Sequence, residues 1–252
     1  MFRWDYKDIL TLLNKLRLAD TETLRDIIFF DRWYKAIYPK LKKLSDIWLI
    51  EIMDMPAASS NMNNFYTLSP KKENMELVSQ IIWKEVSVKP IKSTYFLFNH
   101  TKMIWKVLWK ITKDFSKKMW DEKFDYISNF ISETDILESI EKVKYEIRSQ
   151  YIKKIKYHPK PDWILKFKNK TLLFEVELSK SLAQWREKCH LYMDFLNYYN
   201  ENNSSPLIDN MPNDLILVVG LYSYKKDWYM KIMKEIGLDK VIRVLWVDLD
   251  NI

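Results

Sequence analysis

Three acidic residues, Asp162, Glu175 and Glu177, have types and spacing that bear directly on chemistry. They flank a hairpin pattern. The run Pro161-Asp162-Trp163-Ile164-Leu165-Lys166-Phe167-Lys168 is followed by Asn169-Lys170 and then by Thr171-Leu172-Leu173-Phe174-Glu175-Val176-Glu177. Two alternating runs around an Asn-containing two-residue turn predict a β-hairpin. Asp162 at the start of one strand and Glu175 near the end of the other can face the same side. Glu175 and Glu177 are two apart, so in a strand they share a face. Asp162 and Glu175 would together bind a hard divalent cation such as Mg²⁺ through oxygen ligands. Such an ion polarises a phosphate and helps generate hydroxide for attack. The same acids also suit an exposed edge strand with a solvated face, and the pattern alone leaves both readings open.

These acids need elements to position them. From His100 to about Lys118 the apolar face Ile104, Val107, Leu108 and Ile111 predicts a helix. Phe124 to Ile131 suits a strand, and Ile136 to Lys154 a charged helix. Beyond the hairpin come a helix over 182–199, a strand over 215–221, a helix over 225–236 and a strand over 241–247. From His100 the order is therefore α-β-(α)-β-β-α-β-α-β. That alternation predicts an α/β domain (α+β over the whole chain). Segment 84–99 reads as the connection into it.

The first eighty residues read differently. Ile9, Leu10, Leu12, Leu13 and Leu16 repeat at helical spacing, predicting a helix over about 5–17. A break at Leu18-Ala19-Asp20 follows, and Asp20 or Thr21 can cap a second helix to about Phe29. Asp31 can cap a third, with Trp33, Ile37, Leu41 and Leu44 on one face and Arg32, Lys35, Lys40, Lys42 and Lys43 on the other. Pro39 falls inside that span and should kink the helix or shift its start. Strands over 47–53 and 64–68, with a loop over Ala57–Asn63 between them, make a hairpin. Ser69-Pro70 then opens another helix, with the proline at its first position. Three helices and a hairpin are the order of a winged helix-turn-helix, in which the third helix enters the major groove. A small helical bundle with a solvated lysine face fits the same order.

Composition narrows the classes. The 252 residues carry 41 Lys and Arg against 34 Asp and Glu, a net charge of +7, and the pI is near 9.1. A basic surface attracts phosphate backbones through counterion release. Two glycines, Gly220 and Gly237, cannot form a Gly-rich phosphate loop, which excludes nucleotide-dependent motors and Rossmann dehydrogenases. His100, His158 and His190 lie far apart, with no cysteine pair to complete a zinc site. A single cysteine, Cys189, points to a reducing, cytoplasmic compartment, and its place on a helix predicts a buried, inert thiol. Apolar runs such as Leu215–Leu221 are far shorter than the roughly 20 residues of a membrane helix. Most of the 11 tryptophans, Trp105, Trp109, Trp163 and Trp185 among them, fall at core spacings.

Pro161-Asp162, the hairpin, Glu175-x-Glu177 and the following helix resemble the PD-(D/E)xK superfamily of restriction-endonuclease-like folds. Over nearly the whole chain the resemblance is to the replication-relaxation (plasmid mobilisation-protein-like) family. The residues that carry it are the helix-turn-helix at 5–45, Tyr66-Thr67-Leu68-Ser69-Pro70 closing the wing, and His100-Thr101 opening a helix. Pro161-Asp162, Phe174-Glu175-Val176-Glu177-Leu178-Ser179, and Lys188 with Tyr192 complete it. The resemblance implies a winged helix over 1–85, a connection over 86–99 and a nuclease-like domain with a mixed central sheet over 100–252. It implies double-stranded DNA as partner, in replication, mobilisation or processing of a plasmid or virus. A homodimer and replication or mobilisation proteins are compatible partners.

An active centre of this type usually has lysine two residues after the second acid, and here Glu177 stands at that position. Lys180 and Lys188 are the candidates for a migrated lysine, and Glu133 for a third carboxylate. The expected catalytic set is thus Asp162, Glu175, Glu177, Lys180 and Lys188, with Mg²⁺ on Asp162 and Glu175. Three functions follow from these residues: a DNA-binding protein with a weak or inactive nuclease-like domain, an active Mg²⁺-dependent endonuclease or nickase, and a transcription regulator with a dimerising C-terminal domain.

Overall fold

The computed structural model describes residues 4–28, 37–53, 64–86, 95–117, 129–132, 135–136, 159–167, 170–178, 181–202 and 214–251. They form a mixed α/β protein of two compact units, the division falling between Trp105 and Lys106. Among the described residues no helix is long and apolar enough to cross a membrane.

The first unit contains α1 (Trp4–Leu16), β1 (Ala19–Asp20), α2 (Thr21–Ile28), α3 (Tyr38–Asp46), β2 (Ile50–Ile52), β3 (Phe65–Leu68) and α4 (Lys72–Ile82). The start of α5 (Tyr95–Lys117) also belongs to it. Its core gathers Ile9, Leu10 and Leu13 of α1 with Leu24, Leu41, Leu44, Ile50, Leu68 and Val78. Asp20 caps α2 as expected, its Oδ1 accepting the Thr23 N–H at 2.8 Å. Ala19–Asp20, which the sequence reads as a break, instead pairs with Tyr66–Phe65, giving an antiparallel sheet of order β1-β3-β2. Two residues carry no periodicity, so only the tertiary pairing discloses them as a strand.

Several boundaries also differ from expectation. The third helix begins at Tyr38 rather than Asp31, with Pro39 in its first turn, where a missing N–H costs nothing. β2 begins at Ile50 rather than Ile47, because Trp48 closes α3 in the left-handed region at φ 61°. Arg17 and Trp83 close α1 and α4 in the same way, at φ 62° and 59°. A chain with two glycines places side-chain-bearing residues at these ends, at about 1–2 kcal/mol each. Pro70 precedes α4 instead of opening it, since the helix starts at Lys72. Tyr95–Asn99, read as connection, is already helical, and His100 therefore lies inside α5 rather than at its start. Phe98 packs there against Phe65, a contact that outweighs the local preference for extended structure. Strand 64–68 is found as expected, and the expected loop 57–63 lies outside the described residues.

The second unit holds the rest of α5, β4 (Phe130–Ser132), β5 (Trp163–Phe167), β6 (Lys170–Val176), α6 (Leu182–Asn202), β7 (Asp214–Leu221), α7 (Lys226–Ile236) and β8 (Arg243–Asp248). Its five-stranded sheet runs β4-β5-β6-β7-β8. β4, β5 and β6 are mutually antiparallel, whereas β6, β7 and β8 are parallel, so the sheet is mixed. The continuous apolar run Leu215–Leu221 becomes the strand between two parallel neighbours, buried on both faces. Leu215, Leu217, Val219 and Leu221 face α6 and α7 through Trp185, Cys189, Tyr192, Tyr229 and Ile232. On the opposite face Gly220 admits α5: a Cβ there would lie 2.8 Å from Val107 Cγ2. Lys170 belongs to β6 rather than to the turn. Most of the expected charged helix over 136–154 lies outside the described residues.

Candidate functional site

The β5–β6 hairpin and α6 build the site. The register Trp163↔Phe174 puts Asp162, one residue before β5, opposite Glu175. The Asp162 N–H donates to the Phe174 carbonyl at 2.9 Å, and Asp162 Oδ2 accepts the Val176 N–H at 2.7 Å. This carboxylate is thereby pinned to the backbone between the two glutamates. Glu175, inside β6, and Glu177, one residue beyond it, both turn toward α6. The ladder to β7 continues past the end of β6, where the Glu177 N–H donates to the Gly220 carbonyl at 2.9 Å.

From α6, Lys188 and Tyr192 stand four residues apart on one helix face. Lys188 Nζ donates to Glu175 Oε2 at 2.5 Å and to Glu177 Oε1 at 2.6 Å. The Tyr192 hydroxyl donates to the other Glu175 oxygen, Oε1, at 2.7 Å. Glu175 is 1 % exposed and Glu177 6 %. These are not solvated acids on an open edge, because β6 is paired on both sides and α6 covers the face.

Burial sets the electrostatics. Desolvation pushes the Glu175 carboxyl up to about 8, against the opposing attraction of Lys188. Burial alone would lower Lys188, but the charges of Glu175, Asp162 and Glu177 outweigh it and hold the ammonium well above its ordinary value. The Tyr192 hydroxyl is raised by burial and by the Glu175 charge. Cys189 is buried, as expected, and desolvation pushes its thiol up to about 12.

Of the expected site residues, Asp162, Glu175, Glu177 and Lys188 come together. Lys180 and Glu133 lie outside the described residues. The carboxylate oxygens suit Mg²⁺ in kind, but their arrangement does not fit it. The ammonium of Lys188 stands between Glu175 and Glu177, and Tyr192 and the Val176 N–H hold further oxygens of the set. Among the described residues no group of three or more His, Cys, Asp or Glu is placed to hold a metal ion.

Sequence reasoning missed Lys225, buried in the 3-10 turn Ser223–Lys225 that follows β7. Its Nζ donates to the Leu178 carbonyl at 3.0 Å and to the Glu177 carbonyl at 3.5 Å, and lies over the Tyr222 and Tyr224 rings. No local signal marks it, since the neighbouring Lys226 is exposed.

The expected DNA-contacting residues divide. Arg32 and Lys35 lie outside the described residues. Lys40 is turned inward, its Nζ 2.7 Å from Asp5 Oδ2 and over the Tyr6 ring. Lys42 and Lys43 are exposed on α3. No protein-family model, curated protein or solved structure matches this chain.

Proposed function

We propose that the chain is a duplex-DNA-binding protein of a mobile element, acting in replication, mobilisation or DNA processing. In this reading the first unit is a winged helix-turn-helix and the second a nuclease-like domain kept for binding. The observation that carries it is the placing of Lys42 and Lys43 on the solvent side of the third helix, directly before the β2–β3 hairpin. That is the helix a winged helix presents to the major groove. The nuclease-like assignment draws support from the mixed sheet, the hairpin and the following helix. The non-cleaving role draws support from Lys188, whose ammonium neutralises the acids a divalent ion would need.

Fluorescence anisotropy on a labelled duplex tests the DNA-binding reading with Lys42→Ala/Lys43→Ala; Lys40 is left intact because it braces Asp5. Two lost phosphate contacts should lower the salt slope of log Kobs by about two units. Unchanged affinity and slope in a folded variant would overturn it.

A second reading, a metal-dependent endonuclease, is favoured by one observation: a lysine from the helix after the hairpin reaches the acids. Plasmid cleavage in Mg²⁺ or Mn²⁺, lost in Asp162→Asn, would establish it. We expect no cleavage and no metal-induced rise in Tm.

A further inference from the structure

We infer that β8 is a self-association edge, on which two copies of the chain pair β8 against β8, antiparallel, about a two-fold axis at Trp246. β8 closes the order β4-β5-β6-β7-β8, so the sheet covers it on one side. The ladder shows which of its backbone groups are left over. The Glu177 N–H donates to the Gly220 carbonyl, so the even-numbered residues of β7 turn their backbone groups to β6 and the odd-numbered ones to β8. With Val219 aligned on Trp246, those odd-numbered residues bond Arg243, Leu245 and Val247. Val244 and Trp246 therefore point both N–H and C=O outward, and Asp248 its N–H. None of these groups has a backbone partner among the described residues.

The side chains are also left unfinished. In β7, which has a neighbour on each side, every residue from Leu215 to Leu221 is buried. Val244, Leu245 and Trp246 are as apolar, yet they stay half-buried, although Val244 and Trp246 pack on the same core. Proteins blunt sheet edges by shortness, charge, proline or a bulge. The other edges here are short: β4 and β2 have three residues each and β1 has two. β8 has six, and its centre, Val244-Leu245-Trp246-Val247, carries no charge and no proline.

The occupant that fits is a second copy. In an antiparallel ladder, facing residues must both turn their backbone groups to the partner. Setting Trp246 against Trp246 of the second copy meets that condition, and Val244 of each copy then faces Asp248 of the other. The two Trp246 rings become neighbours on one face, and Leu245 meets the second copy's Val247 on the other. Charge selects the direction. The strand begins at the exposed Arg243 and ends at Asp248, with exposed Asp250 beyond it. Antiparallel copies bring the basic start of one strand to the acidic end of the other, whereas parallel copies align like with like. Arg243 and Asp248 lie on opposite faces, so this is a complementarity of strand ends. The ladder and the central apolar residues hold the pair.

Sedimentation equilibrium of the full chain across a dilution series tests the inference. The expected mass is twice the 30.7 kDa of one chain, falling to that value on dilution. Trp246→Lys sets two like charges against each other at the axis and should weaken the dimer about ten-fold or more. Val244→Pro should also weaken it, because the N–H it removes is an outward one that the ladder to β7 does not use. Register is read by oxidative crosslinking. Facing Cα atoms in a hydrogen-bonded pair are about 5.5 Å apart, within disulfide reach, so Trp246→Cys should crosslink. Arg243→Cys should not, since the two copies of that position stand about 20 Å apart along the strands at about 3.4 Å per residue. A single-chain mass at every concentration overturns the inference. A dimer that both Trp246→Lys and Val244→Pro leave intact overturns it too, since the copies then meet elsewhere. Crosslinking through position 243 instead of 246 overturns the antiparallel register.

Discussion

Replacing Lys188 by methionine keeps the aliphatic stem and removes the ammonium from between Glu175 and Glu177. Deleting one partner of a buried ion pair costs about 3–5 kcal/mol. Two features of this site lower that figure. The Lys188 side chain is 34 % exposed, so water screens part of the interaction. Glu175, raised to about 8 by burial, still holds its proton near neutrality, so part of the charge that Lys188 compensates develops only above that value. The expected loss is therefore about 2–3 kcal/mol at pH 8.5, above the Glu175 value, and about 1 kcal/mol at pH 5, well below it. The sign follows from the ammonium. Lys188 is held above its ordinary value and stays charged across this window, so the ionisation of Glu175 makes it more stabilising as pH rises. For a domain of this size the loss at pH 8.5 corresponds to a fall in Tm of roughly 5–10 °C. Circular-dichroism melts of wild type and Lys188→Met at pH 5, 7 and 8.5 measure it. A deficit of equal size at all three values would refute the ionic account, and no deficit would show that the distances carry no energy.

Glu175 itself has a pH signature. Its folded value of about 8 lies above an unfolded value near 4.5, so its contribution is fully present below about 4.5 and is lost as pH rises through 8. Glu175→Gln should flatten that decline by about 1–3 kcal/mol between pH 5 and 8, read from urea unfolding at each pH. Gly220→Ala should cost about 1–3 kcal/mol, because the new Cβ would meet Val107 Cγ2 at 2.8 Å; the loss should shrink against a Val107→Ala background, as a double-mutant cycle reports. In the first unit, Asp20→Ala should cost about 1 kcal/mol by uncapping α2, whereas Asp20→Asn keeps an acceptor for the Thr23 N–H; equal melting of the two variants would show that the cap is idle.

The hairpin, α6, β7, α7 and β8 were legible because their signals are local. Alternation at period 2 marks β5 and β6, and the same period puts Glu175 and Glu177 on one face before any partner is known. Pro39 announced that the third helix could not run undisturbed from Asp31, and the helix indeed begins beside it. The start of α5 was not legible, since the aromatic run Tyr95–Phe98 favours extended structure by itself and becomes helical where Phe98 finds Phe65. β1 was not legible either, as it exists only through its pairing with β3. At the site, sequence determined which acids share a strand face, and offered Lys180 and Lys188 as candidates for a migrated lysine. The docking of α6 on the sheet brings Lys188, 11 positions from Glu177, within 2.6 Å of it, whereas Lys180 lies outside the described residues. The burial of Lys225 under the carbonyls at the end of β6 was decided in the same way, by the parallel pairing of β6 with β7, across 48 residues of chain. Periodicity fixes which side of its own element a residue occupies. Which elements meet, and therefore which charges must be paired out of water, is settled by the packing of the sheet against its helices.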